Sequence, residues 1–237
     1  MRTFWRTMSR SLPALLCAGA IFFAGAAHAQ TVSIAGLFTT GVDGTGATLG
    51  DTALDSHYVV TASTAGSNYI GTSYTVKTTS LDSGWVANSS TSRWIVDPRP
   101  GSPDGTSNRP DGTFDYTLTF TMPVGAILST VSISGAGAAG DSAAIYVNGT
   151  LVSGQSIAAS GSINYFTLNS TNSTFNSTSN TITFRVSNVS NNTSTGLLIT
   201  SLSGTAVVPE VGTYLPIAVG LLLFGLFKVF PRRLALT

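Results

Sequence analysis

Charge is scarce in this chain. Asp, Glu, Lys and Arg make up 9% of its 237 residues, against roughly a quarter in an ordinary soluble protein. Ser, Thr, Gly and Asn fill the gap. Helical bundles need Lys, Glu and Leu along helix faces, so the composition argues against one. It also argues against a nucleic-acid binder, because no Lys/Arg cluster is present to neutralise phosphates. Cysteine is limited to Cys17, which lies in an N-terminal apolar run. Leu16 precedes it, where lipidation requires a small residue. Once that run is removed, the chain has no disulfide, no thiolate metal site and no Cys nucleophile. Glutamate is limited to Glu210, and the histidines are His28 and His57.

The net charge of +1 belongs to the ends. Arg2, Arg6, Arg10, Lys228, Arg232 and Arg233 are all terminal. Between residues 30 and 206 lie Lys77, Arg93, Arg99, Arg109 and Arg185. Nine Asp oppose these five cations, giving −4. Residues 1–29 combine a basic start, a short apolar run and the small-x-small end Ala27-His28-Ala29. These are the parts of a signal peptide, with cleavage expected between Ala29 and Gln30.

The C-terminus reads Val208-Pro209-Glu210-Val211, then an apolar run from Tyr214 to Phe227, then Lys228 and Arg232-Arg233. A membrane helix is expected over about 214–230, near the short limit for a bilayer span. Basic residues after it would hold that end inside. The order of parts resembles the PEP-CTERM sorting signal of Gram-negative bacteria. Val208, Pro209, Glu210, Arg232 and Arg233 match it, and Val211 departs from the usual proline. The resemblance implies processing by an exosortase, a membrane cysteine protease-transpeptidase. It also implies an inner-membrane-anchored precursor and delivery to the cell surface or an exopolysaccharide matrix.

Residues 30–206 alternate in short runs rich in Val, Ile, Thr, Tyr and Phe, broken by Gly, Asn, Asp and Pro. This pattern predicts strands near 58–63, 69–76, 94–96, 116–121, 126–134, 143–147, 162–168, 180–188 and 196–203. Tyr116-Thr-Leu-Thr-Phe-Thr and Thr181-Ile-Thr-Phe-Arg-Val place threonines on one face and apolar residues on the other, as a half-buried strand does. Asn148-Gly149 marks a two-residue hairpin, with Leu151-Val152 beginning the return strand. The expected fold is all-β: one antiparallel β-sandwich of the jelly-roll kind, flanked by a signal helix and a transmembrane helix.

Further residues carry a second resemblance. They are Asp55-x-His57-Tyr58, Trp85-Val86-Ala87-Asn88, Ser92-Arg93-Trp94-Ile95, Asp141, Ile145-Tyr-Val-Asn-Gly149 and Asn180-Thr-Ile-Thr-Phe-Arg-Val186. Their order is similar to a passenger domain of PEP-CTERM proteins, and the second half resembles galactose-binding-like jelly rolls. That implies a sandwich and a carbohydrate ligand.

Catalytic chemistry is sparse in the sequence. No Gly-x-Ser-x-Gly elbow accompanies His57. Glycoside hydrolysis uses two carboxylates on rigid elements, whereas most Asp here sit in turns. His57 is expected to bond a neighbour such as Asp55. A structural calcium ion would use Asp43, Asp51 and Asp55, or Asp97, Asp104, Asp111 and Asp115; solvated turn residues are the alternative. Trp85 and Trp94, with Asn88, Arg93 and His57, would line a glycan cleft. The core reading is the stronger one, because large aromatics in short apolar runs more often fill a core than bind a ligand. Residues 169–192 hold repeated Asn-x-Ser/Thr triplets and read as a polar, uncharged loop and strand face.

Two roles follow: a non-catalytic surface or matrix protein sorted by an exosortase, or a carbohydrate-binding module with a defined glycan. Mature protein from the native host is expected to begin at Gln30 and to lack residues 214–237, which intact-mass and N-terminal sequencing would check. A start at Met1 or Cys17 would overturn the cleavage site, and a retained tail would leave a plain membrane anchor.

Overall fold

Alternation in the sequence becomes strand pairing in the computed structural model, which describes residues 29–98, 109–159, 161–189 and 194–210. Residues 31–208 make a compact unit. Its strands, in chain order, are β1 (Ala29–Ser33), β2 (Leu54–Ser63), β3 (Gly71–Thr75), β4 (Ile95–Val96), β5 (Gly112–Thr121), β6 (Ile127–Ala139), β7 (Ser142–Val147), β8 (Thr150–Ile157), β9 (Asn164–Asn169), β10 (Ser179–Asn188) and β11 (Leu197–Pro209). Among the described residues the helices are single 3₁₀ turns, Ser67–Tyr69 and Thr78–Ser80. None is long and apolar enough to cross a membrane. The expected signal peptide before Ala29, the span at 214–230 and Arg232-Arg233 lie outside the described residues.

The architecture is all-β, but its layers differ from two separate sheets. One continuous antiparallel sheet runs β8-β7-β10-β5-β2-β3-β4-β11-β6-β9, with β1 paired to β11. It rolls round a single core into a nearly closed barrel. The end strands β8 and β9 face each other, and the Thr167 N–H donates to Gln155 Oε1 across that seam at 2.8 Å. The join between the halves is short, with Tyr74 opposite Val96 and Thr75 opposite Ile95. No run of alternation in the sequence marks such a corner.

Period-two burial builds the core. In β10 every second residue is buried, and β5 presents Phe114, Tyr116, Leu118 and Phe120 inward. Val131, Ile133, Ile145, Phe166, Phe184 and Leu197 meet them. The Phe166 and Phe184 rings pack edge to face at 5.6 Å. Gly135 in β6 makes room for this packing: a Cβ there would lie 2.2 Å from the Phe166 ring. Asn148 and Gly149 both adopt positive φ, 50° and 79°, the values a type I′ hairpin turn demands.

Immediately after β4, Asp97 meets Arg109 with Nε to Oδ2 at 2.6 Å, both side chains fully buried. Arg109 also fixes the start of β5, because its carbonyl accepts Asn188 Nδ2 at 3.0 Å. Removing one partner strands the other charge in the interior. Arg109→Ala or Asp97→Ala is therefore expected to lower stability by about 3–5 kcal/mol, read from urea unfolding. The double variant should lose less than the two singles combined, because it leaves no orphan charge. A single-variant loss below about 1 kcal/mol would mean the surviving charge is hydrated rather than buried.

Candidate functional site

The residues singled out in the sequence fall into two places. Segment 77–94 folds over the outer face near β4, β6 and β11. There Val76, Trp94, Val96, Ala138 and Leu198 form a second small core, with Trp85, Val86 and Ile163 packed against it. Trp94 has no exposure. Its Nε1–H donates to the Val86 carbonyl at 2.7 Å, and its backbone N–H donates to Asn88 Oδ1 at 2.9 Å. Trp85 is half-buried, its ring centroid 4.1 Å from that of Trp94. Arg93 reaches the Leu49 carbonyl at 2.7 Å, Thr78 Oγ1 at 2.6 Å and the Asp51 carboxylate. Trp85, Asn88, Arg93 and Trp94 thus hold a cap together, and His57 is not among them.

The three aspartates are not gathered into one ligand set. Asp43 Oδ1 accepts the Thr45 N–H at 2.8 Å, the Thr45 hydroxyl at 2.6 Å and the Ala47 N–H at 3.1 Å. Asp51 serves Arg93 and Thr78. Asp55 is fully buried and accepts Gly41 N–H at 2.7 Å and His57 N–H at 2.9 Å. Among the described residues no three His, Asp or Glu side chains are placed to hold a metal ion. In the second cluster Asp97 pairs with Arg109 and Asp115 with Arg185, Asp111 is exposed, and Asp104 lies outside the described residues.

His57 lines an open pocket of about 380 Å³ on the outer face of β2 and β5. Phe38 stacks on its ring at 3.8 Å and 20°, and the Phe38 carbonyl is held by the Tyr58 hydroxyl at 2.7 Å. His57 Nδ1 lies 3.4 Å from Asp55 Oδ1, an approach whose geometry makes no hydrogen bond. Val59 and Thr117 are paired across the strands below it, and Thr61 and Thr119 complete the polar lining.

A hydroxyl relay leads away from this pocket. Thr61 Oγ1 lies 2.8 Å from Thr117 Oγ1, which lies 2.9 Å from Thr183 Oγ1. Beyond it, Arg185 makes a two-point pair with Asp115 at 2.7 and 2.8 Å. Hydrogen bonding from that carboxylate holds the guanidinium pKa above its ordinary value. Arg185 NH1 donates to the Tyr146 hydroxyl at 3.0 Å, and its CZ sits 4.6 Å over the Tyr146 ring. The alternate threonines of 116–121 and 181–187 were the visible signal for this face. Phe38, Tyr146 and the Arg185–Asp115 pair carried none.

The residues expected at the cleavage site and in the sorting motif are described in part. Ala29 and Gln30 are exposed in β1, Val208 is half-buried near the end of β11, and Pro209 and Glu210 are exposed. In the described part of the Asn-rich segment, residues 169–189, side-chain amides are hydrogen-bonded. Asn180 Oδ1 accepts Asn148 Nδ2 and Asn176 N–H, and Asn172 bridges Thr167 and Asn169.

No protein-family model and no curated protein sequence matches the chain. Among solved structures, similarity is found to the CBM36-1 domain of a multidomain xylanase from the hindgut metagenome of Trinervitermes trinervoides. It has 10% identity and a TM-score of 0.25, covering 77% of this chain and 98% of that one. The family 11 carbohydrate-binding module of the cellulosomal cellulase Lic26A-Cel5E of Clostridium thermocellum is similar at 11% identity and TM-score 0.27, covering 79% and 91%. Likeness this slight bears no weight on function.

Burial raises the Asp55 carboxyl above its ordinary 3.8, against the lowering effect of the Gly41 and His57 N–H groups. The contribution of Asp55 to stability is therefore fully present below pH 3.8 and is lost as pH rises through its folded pKa. Asp43 has the opposite sign, its pKa lowered first by the Thr45 hydroxyl. At Asp51 burial raises the pKa but is outweighed by Arg93 and Thr78, so the net shift is down. Asp55→Asn removes the opposing titration. Between pH 4 and pH 7 its urea midpoint should gain relative to the parent, although it loses a hydrogen bond worth about 1 kcal/mol. A constant difference across that range would place the carboxylate in solvent.

Proposed function

We propose that this chain is a non-catalytic, exported surface or matrix protein whose β-domain binds an uncharged glycan in the Phe38–His57 groove. The observation that carries this reading is the groove itself. An apolar wall of Phe38 and Val59 stands beside the hydroxyls of Thr61, Thr117 and Thr119, and the nearby Arg185 is already neutralised by Asp115. Sugars offer an apolar ring face with hydroxyls round it, and binding sites of this kind combine an apolar lining with a few placed polar groups. The volume also falls in the roughly 300–1,000 Å³ range of small-ligand pockets.

Asp115 is tied to an arginine and Asp55 lies buried beneath His57, an arrangement suited to holding a ligand rather than to acid–base cleavage. On this reading the Ala29-Gln30 junction frees the exported domain. Val208-Pro209-Glu210, with Arg232-Arg233, marks it for an exosortase, and exopolysaccharide or another neutral glycan is its partner outside the cell.

A glycan array probed with the full-length chain tests this. Saturable binding is expected, weakened about tenfold or more by Phe38→Ala and unchanged by Trp85→Ala at equal melting temperature. Loss on Trp85→Ala alone would move the site to the cap. Absence of any glycan binding would leave a purely structural matrix protein.

A further inference from the structure

We propose that the groove takes a linear, uncharged oligosaccharide laid across the strands, with one sugar ring in the Phe38–His57 pocket and a later one against Tyr146. This rests on the glycan reading above and adds the direction and the length of the ligand.

Sheet register fixes the direction. Val59 pairs with Thr117, Thr117 with Thr183, and Thr183 with Tyr146, so these four residues form one row across β2, β5, β10 and β7. Neighbouring strands are about 4.8 Å apart, so the row spans ~14 Å. That is longer than a single sugar ring. Both ends carry an aromatic side chain, His57 stacked on Phe38 at one and Tyr146 at the other. Leu151, 54% exposed, stands opposite Tyr146 in the register and extends the apolar end onto β8.

The middle of the row suits hydroxyl groups. Each threonine hydroxyl has one proton and two lone pairs. The Thr61–Thr117–Thr183 relay uses two of its three protons, Thr61 also reaches the Asp115 carbonyl at 3.3 Å, and lone pairs are left to accept from a ligand. The Tyr146 oxygen already accepts from Arg185 NH1, so its own proton is free to be donated.

Charge then narrows the class. Arg185 and Asp115 cancel. The carboxylate beside His57 is that of Asp55, at 3.4 Å. The domain as a whole has five Lys/Arg against nine Asp. A uronate or sulfate would meet repulsion here and a neutral sugar would not.

The test is calorimetry on the full-length chain in detergent micelles. Probes are gluco-, xylo-, manno- and galacto-configured neutral oligomers from the monosaccharide to the hexasaccharide, and oligogalacturonates of the same lengths. The bound neutral series should gain affinity steeply between the disaccharide and the tetrasaccharide and then level off. Tyr146→Ala should weaken the tetrasaccharide about tenfold and leave the disaccharide within about twofold, whereas Phe38→Ala should weaken every length. Thr183→Val, which removes the hydroxyl between the two ends, should reproduce the length-selective loss should Tyr146→Ala prove unstable. Affinity independent of length, equal effects of Tyr146→Ala and Phe38→Ala, or tighter binding of the uronates would each overturn this proposal while leaving glycan binding in place. No binding by any oligomer would overturn both.

Discussion

A sheet that rolls round its own core must turn a corner while every buried polar group still finds a partner, and here the corner is the two-residue strand β4. Ile95 and Val96 are the link between the β2–β3 half and the β11–β6 half. On either side of β4 the chain leaves regular pairing, and a charged residue sits at each end, Arg93 before it and Asp97 after it. Arg93, just before it, ties Leu49, Asp51 and Thr78 together. Asp97, just after it, pairs with Arg109 out of contact with water. Buried Thr75 bonds the Gly50 carbonyl at 2.6 Å and takes the Ala53 N–H at 2.9 Å. Unpaired main-chain groups in an interior are costly, and these side chains stand in for the missing strand neighbours.

Away from the corner, neutral amides do the same work. Asn148 presents its oxygen to the Thr181 N–H and its nitrogen to the Thr174 carbonyl and Asn180, so a hairpin turn is locked to the next strand but one. Asn180 in turn closes the 176–180 turn through Asn176 and Thr178. The outward N–H groups of edge strand β9 are blunted likewise, Thr167 by Gln155 and Asn169 by Asn172. Natural edges are often guarded by lysine or proline; this one is guarded by carboxamides, in keeping with a chain that has few charges to place.

Local signals in the sequence account for much of the fold. Strict alternation marked β5 and β10, and Asn148-Gly149 marked the turn with both φ angles positive. Strand β1 was not legible, because Ala-Gln-Thr-Val-Ser is too short and polar to alternate. The continuity of the sheet was not legible either, since it depends on two residues at the corner. Asp55 read as a calcium ligand, a solvated turn residue or a partner of His57. It is buried because the β2–β3 register breaks between Asp55 and Val59, which turns its carboxylate inward to collect backbone N–H groups. The tryptophans drew attention because large aromatics serve both cores and ligands, and the 77–94 cap settles Trp94 as core. Each groove threonine alone looks like any wet strand residue. The row exists only once β2, β5, β10 and β7 lie side by side in one register.

The two halves of the roll end up with different outer faces, and that asymmetry decides where binding is possible. Near the corner, the outer face of β4, β6 and β11 is sealed by the tryptophan cap, which removes its largest aromatics from solvent. Among the described residues the face of β2, β5, β10 and β7 has no such cap. Its charges are matched one against one, its hydroxyls are linked in a relay, and its rings stand at the two ends of the row. A face of that kind has little to offer an ion, because Arg185 is occupied by Asp115. Its described carboxylates are paired or buried, Asp115 with Arg185 and Asp55 beneath His57. What it does offer is a wet, uncharged strip of donors and acceptors between apolar ends. On the proposed reading a neutral polyhydroxylated chain would match it, because its own surface has that same alternation of ring faces and hydroxyls.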